Sequence, residues 1–433
     1  MGALLVTDKT PSDGVVTGME ACTHKAYIAG YNPGSGVTQH NQLDLDQRAL
    51  QDAVSDDSGK TSDFVTAKTI YTSGGTSATN DCGAGVMKNS CSKGSARTLQ
   101  GFSTKAKAVM YDDCPGCPYR TYKKFYDYYG DYDYADKWVT AALDGTTYTP
   151  AHAATTHAPG GAFGSMTQAA RQEAVQKGTA YQNVWMYIIR EFEDAIDDCK
   201  LCTSNCNEFS DSVGKTGQYN AVHAWDEGVA FYTGSLAGTT AEHTSKGKMV
   251  FALAEKRCEN FGTCTGAGGL SHVNEELFKL FAEGRDKLHY TGTSTCDQAR
   301  PILDDIIRLM TVPLVQGTLR YAYKAGHMNG VDNAKSDQTA KNHAEGATFA
   351  QALLPLVHHC DAAAAKVVSD NMKFDGQTFA TGGGITGTKP DTVAVKAALE
   401  KTYPCLGITC AQVGTRSPYK TRPVELYLSR PLP

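Results

Sequence analysis

Tyr219-Asn-Ala-Val-His-Ala-Trp-Asp-Glu-Gly-Val-Ala-Phe-Tyr-Thr-Gly-Ser235 is the stretch around which the chain is organised. On an α-helix, His223, Asp226 and Glu227 stand at i, i+3 and i+4, so an imidazole and two carboxylates share one face. Such a face can hold a metal ion. The same residues also suit a structural role: Val222, Trp225, Val229 and Phe231 can bury the helix while the charged side chains cap or form ion pairs.

The pattern recurs. Aligned on Glu-Gly, His-Ala-Trp-Asp-Glu227-Gly-Val-Ala-Phe231 matches Lys-Asn-His-Ala-Glu345-Gly-Ala-Thr-Phe349, with Leu236 opposite Leu354. Lys341 stands in place of His223 and His343 in place of Trp225, so a site in the second copy must differ or be lost. Each motif follows a long periodic segment. Thr167 to Cys199 places Trp185, Ile188, Ile189, Phe192, Ala195 and Ile196 on one core-facing stripe, and Asp297 to Ala325 contains Pro313, which should kink it. A fainter third copy has Ile-Tyr-Thr-Ser-Gly74 echoing Phe-Tyr-Thr-Gly-Ser235, with Thr66 in the place of Glu227.

Strand patterns are sparse, and the expected fold is all-α: an array of related four-helix bundle units with disulfide-pinned loops. The expected division is an irregular N-terminal arm over 1–40, a divergent helical unit over 41–145, a linker over 146–165, the unit with the His-Ala-Trp-Asp-Glu-Gly motif over 166–290, the unit with the His-Ala-Glu-Gly motif over 296–410, and a tail over 411–433. Further helices are predicted over Leu43–Val54, Ser62–Tyr71, Thr104–Tyr111, Tyr119–Leu143, Tyr219–Thr233, Lys248–Phe261, Val273–His289, Ala362–Met372 and Asp391–Tyr403.

Helical bundles build metal sites from inward-facing carboxylates and imidazoles. His223, Asp226 and Glu227 form one candidate wall, Glu193 of the preceding helix the other, and Glu345 is the equivalent carboxylate of the last unit. Asp226 can instead orient the imidazole from behind. Oxygen-rich sites with imidazole suit iron or manganese, whereas structural zinc prefers thiolates and imidazoles. Seven tyrosines between Tyr119 and Trp138, interleaved with Asp127, Asp131, Asp133 and Asp136, offer hard ligands for ferric iron, but a packed amphipathic interface explains them as well.

The 433 residues carry a net charge of -5 and a pI near 6.2, with no blocks of either sign, which excludes a basic nucleic-acid footprint. Fourteen cysteines favour an oxidised, exported chain with up to seven disulfides. Cys114-Pro-Gly-Cys117 and the Cys199, Cys202, Cys206 series are expected to be disulfides, since neither the βαβ context of a redox motif nor a nearby zinc-completing His accompanies them. Met1-Gly-Ala-Leu-Leu-Val is too short for a secretory h-region and no apolar run is long enough to span a bilayer, so a processed, non-membrane-spanning chain is expected. Gly382-Gly-Gly-Ile-Thr-Gly387 satisfies a dinucleotide pattern formally but lacks the preceding strand. Neither a nucleophile elbow nor a phosphate loop occurs, and no enzymatic activity is expected.

The motif stretch, together with Arg-Glu-Phe-Glu-Asp-Ala-Ile-Asp-Asp-Cys199, Gly-Lys-Met-Val-Phe-Ala-Leu-Ala-Glu-Lys-Arg-Cys258 and Cys-Leu-Gly-Ile-Thr-Cys410, resembles the family of algal iron-assimilating proteins secreted into the periplasmic space. The resemblance covers at least residues 180 to 410. It implies an extracellular protein that captures iron and supports its assimilation, with a plasma-membrane uptake system as partner. A disulfide-rich cell-surface structural or adhesive module without a metal role is the alternative.

Overall fold

The computed structural model describes residues 28–37, 39–55, 62–80, 93–104, 108–112, 114, 117–201, 221–237, 247–266, 269–288, 293–333, 338–373 and 389–415. Cys22, Cys82, Cys91, Cys202, Cys206 and the Gly382–Gly387 loop lie outside them. The fold is all-α. Helices α1 (Leu43–Val54), α2 (Phe64–Ser73), α3 (Gly101–Thr104), α4 (Arg120–Tyr129), α5 (Tyr134–Asp144) and α6 (Ala153–Thr156) precede α7 (Gln168–Lys177) and α8 (Trp185–Leu201). The motif helix α9 (Ala221–Thr233) is followed by α10 (Val250–Phe261), α11 (His272–Leu288) and α12 (Thr293–Ala325). The second motif lies on α13 (Ala340–Cys360), ahead of α14 (Ala362–Met372), α15 (Thr392–Leu406) and α16 (Cys410–Val413). Among the described residues, sheet is confined to three two-stranded antiparallel pairs, such as Thr147–Tyr148 with Gly161–Ala162.

Local chemistry fixes the helix limits. Asp63, Thr167, Thr339 and Asp361 each accept a hydrogen bond from a first-turn N–H, which satisfies donors that a helix start leaves open. The predicted run from Tyr119 to Leu143 is two helices instead of one. Gly130 ends α4 in the left-handed region at φ 75°, a conformation that glycine adopts without a Cβ clash. The segment from Thr167 to Cys199 is continuous but contains a π-helical stretch, Gly178–Val184, between α7 and α8.

Each motif helix lies against the long helix that precedes it: α9 packs along α8, and α13 along α12. The glycine after each motif glutamate sets the spacing. A Cβ at Gly228 would come within 2.7 Å of the Phe192 ring, and one at Gly346 within 2.7 Å of Tyr321 Cβ. The helices therefore approach more closely than any larger residue allows. Buried apolar side chains form one continuous cluster from Ile28 to Val413, and Phe163, from the 146–165 segment, packs edge-on to Trp138 with ring centroids 5.0 Å apart.

Disulfides add covalent ties at helix ends. Cys199–Cys296 joins α8 to α12, Cys360–Cys405 joins α13 to α15, Cys258–Cys264 closes the turn after α10, and Cys114–Cys117 closes the turn before α4. Among the described residues no helix is long and apolar enough to cross a membrane.

Candidate metal centre

The segment 28–42 lies across the start of α9 and brings His40 to the motif. Asp226, fully buried, accepts a 2.5 Å hydrogen bond from the Tyr31 hydroxyl. Arg285 of α11 donates to the Asn32 carbonyl, so the segment is held from two helices.

His40, His223 and Glu227 present three donor atoms that all lie within 4.8 Å of one another. Glu227 Oε1 is the shared acceptor: His40 Nε2 donates to it directly, and His223 Nε2 is 3.2 Å away. The two rings meet edge to face with centroids 5.5 Å apart. Access is graded, since the His223 side chain is 33% exposed, Glu227 18% and His40 10%, so the cluster faces solvent through His223.

Electrostatics follow from this geometry. Burial alone would raise the Glu227 carboxyl, but the charges and hydrogen bonds of His40 and His223 outweigh it and hold the group well below the usual carboxylate range. Burial works against the His223 cation, yet the hydrogen bond to Glu227 and its charge raise the imidazole pKa. His40 is lowered by burial, with Arg97 and His223 pushing in the same direction. Arg97 Nη2 lies 4.0 Å from Glu227 Oε1, and its guanidinium sits 5.8 Å from the centre of the Phe231 ring. Behind the cluster is Glu191, whose carboxyl burial pushes up to about 8 against the pull of Arg190 at 3.1 Å.

The residues singled out in the sequence therefore separate. His223 and Glu227 meet. Asp226 faces the opposite way, towards Tyr31 and Ser35, and the Ser35 hydroxyl in turn lies 3.2 Å from His223 Nδ1. Asp226 thus holds, through Tyr31, the segment whose Ser35 meets the imidazole. Glu193 points to the start of α4, where it accepts from Thr121 N at 2.8 Å and Tyr122 N at 3.1 Å, with Arg300 at 3.6 Å; burial still brings its carboxyl up to about 7. Glu345 lies 3.9 Å from Lys177 and accepts from the Tyr321 hydroxyl. His343 turns away to the Lys373 carbonyl at 3.1 Å, and burial lowers it to about 4.

His40 is the donor that local sequence does not disclose. It lies outside any periodic segment, far along the chain from His223, and its only local mark is a polar run ahead of α1. The tyrosines between Tyr119 and Trp138 are mainly core: Tyr122, Tyr128, Tyr129 and Tyr134 are buried, and Tyr129 stacks on Tyr134 at 4.2 Å. A second group, His272, Glu275 and Glu276, lies at the start of α11, where Glu276 already pairs with Lys279 at 2.7 Å.

Fold and cluster together define an all-α, disulfide-bonded protein that gathers imidazole and carboxylate donors from separate segments onto one bundle helix. The chain belongs to the low iron-inducible periplasmic protein (Fea1) family, whose sequence pattern matches residues 11–419. No curated protein and no solved structure matches it.

Proposed function

We propose that the protein captures iron outside the plasma membrane at His40, His223 and Glu227 and passes it to a membrane uptake system. The observation that supports this most is the convergence of two imidazole nitrogens on one carboxylate oxygen at a solvent-reachable face. Two imidazoles and one carboxylate form the donor set that suits ferrous iron with further positions open to water or a delivered ligand. Membership of a low iron-inducible periplasmic family supports iron over zinc, which accepts the same donors.

The cluster suits binding and release more than turnover. Both imidazoles must be free of protons to coordinate, so affinity follows pH. The Arg97 charge near Glu227 opposes a bound cation and moderates its hold. Asp226 and Glu193 serve as positioning and capping carboxylates, and Glu345 is neutralised by a lysine.

Calorimetric titration of the full chain with ferrous and with ferric iron tests the reading. Binding that is lost in a His223→Ala, Glu227→Ala double variant of unchanged helicity is the expected result. No heat with either ion would leave the cell-surface structural module as the better account.

A further inference from the structure

Around Glu345 the surroundings of the repeated motif change sign. Arg257 of α10 is 6% exposed, and its Nε and Nη1 are buried without a hydrogen-bond partner. Its guanidinium lies 5.9 Å from the centre of the Tyr321 ring and 5.7 Å from that of Phe349. Ring faces attract a cation but leave in-plane N–H groups unsatisfied, and burying an ionised group without a counter-charge is costly. Arg320 Nε is also buried without a partner, with its guanidinium 5.8 Å from the Tyr321 ring centre.

The nearby carboxylates are already engaged. Glu173 has Lys177 at 3.1 Å and Lys341 at 3.5 Å, and Glu345 has Lys177 and the Tyr321 hydroxyl. Lys256 stands exposed beside Arg257. Among the described residues, Lys177, Lys256, Arg257 and Lys341 thus gather about the two carboxylates Glu173 and Glu345, and cationic charge is in excess.

The comparison with the first motif is direct. A guanidinium lies over the phenylalanine four residues after each motif glutamate: Arg97 over Phe231 and Arg257 over Phe349. Beside Glu227 the partners are imidazoles; beside Glu345 they are the Lys177 amine and the Tyr321 hydroxyl, while Lys341, in the place of His223, pairs with Glu173. We propose that this second motif region binds a small multiply charged oxyanion, of phosphate or polycarboxylate chemistry, against the Arg257 guanidinium, with Lys256 on its solvent side. The planar fork of an arginine matches the paired oxygens of either class.

The test is calorimetry on the iron-free full chain at low ionic strength, with inorganic phosphate and citrate titrated separately and chloride as the control. Saturable binding of at least one anion is expected, weakened at least about tenfold by Arg257→Gln and several-fold by Lys256→Met, and unchanged by His223→Ala. A response to phosphate alone assigns free phosphate, and one to citrate alone assigns a carboxylate ligand. No saturable heat with either anion, or equal binding by the wild type and Arg257→Gln, overturns the proposal. Should Arg257→Gln not fold, the exposed Lys256→Met decides, and unchanged affinity in that variant overturns it too. Because no iron is present, failure here leaves the His40, His223 and Glu227 reading standing.

Discussion

His40 and His223 place their rings edge to face, 5.5 Å between centroids, although one comes from the segment ahead of α1 and the other from α9. Both imidazoles contact the same oxygen of Glu227. Replacing either by alanine is expected to weaken iron binding at least on the order of the 10–100-fold that lost supporting contacts alone cause. His40→Ala is the sharper check, since it alters no motif residue. Retention of full affinity, measured by calorimetry, would remove His40 from the site.

Asp226 acts on the site through the segment it holds. Tyr31→Phe removes the 2.5 Å bond to a buried carboxylate, which is expected to lower unfolding stability by about 1–3 kcal/mol in urea titrations. Iron affinity should fall in parallel, because the same segment carries Ser35 and His40. A loss of stability with no change in affinity would separate the two.

Iron affinity should decrease with acidification. Glu227 raises the pKa of His223, so coordination displaces a proton over a range reaching above the usual histidine value. Below it, affinity falls by about tenfold per pH unit for each proton displaced. The iron-free protein follows the sign of each shift. His223 contributes stability that is full at acid pH and lost as pH rises through its raised pKa. Glu227 contributes stability present above the ordinary carboxylate range and lost as pH falls through its depressed pKa. Titration calorimetry between pH 5.5 and 8, chosen to bracket the ordinary imidazole pKa of about 6.5, reads the first effect, and urea unfolding across the same interval and into acid reads the second.

Gly228→Ala and Gly346→Ala each insert a Cβ where a neighbouring atom lies 2.7 Å away. Overpacking of this kind costs about 1–3 kcal/mol, which exceeds the gain of about 1 kcal/mol from alanine's better helix propensity at the upper end of that range. Thermal unfolding should therefore show both variants below the wild type. A rise in melting temperature for either would show that α8 and α9, or α12 and α13, can part without penalty.

Reduction of Cys199–Cys296, whose cysteines stand 97 positions apart in the chain, should cost about 2–5 kcal/mol. A paired Cys199→Ser, Cys296→Ser variant compared in urea measures it.

The helical elements were largely legible because their limits are written in local chemistry. Leu43–Val54 and Ala362–Met372 match the predicted limits, the latter opened by the Asp361 cap. The break at Gly130 was missed because tyrosines on both sides maintain an apolar face through the turn. The π-helical stretch Gly178–Val184 is buried along its whole length, the polar Thr179, Gln182 and Asn183 included, so its polar residues trace no solvent-facing side from which the change in periodicity can be read. His223 and Glu227 were visible as an i, i+4 pair, whereas His40 depends on how a non-helical segment folds back, which local spacing does not encode. Asp226, Glu193 and Glu345 have the right chemical type, but their surroundings decide what they do: a tyrosine and a serine, two backbone N–H groups, and a lysine.

The glycine that follows each motif glutamate separates inheritance of shape from inheritance of chemistry. Because Gly228 and Gly346 fix how near two rods may lie, a copy of the motif can exchange the imidazole of His223 for the amine of Lys341 and still slot into an unchanged frame. What a copy of the motif holds is then free to drift, while the spacing that shelters it is not.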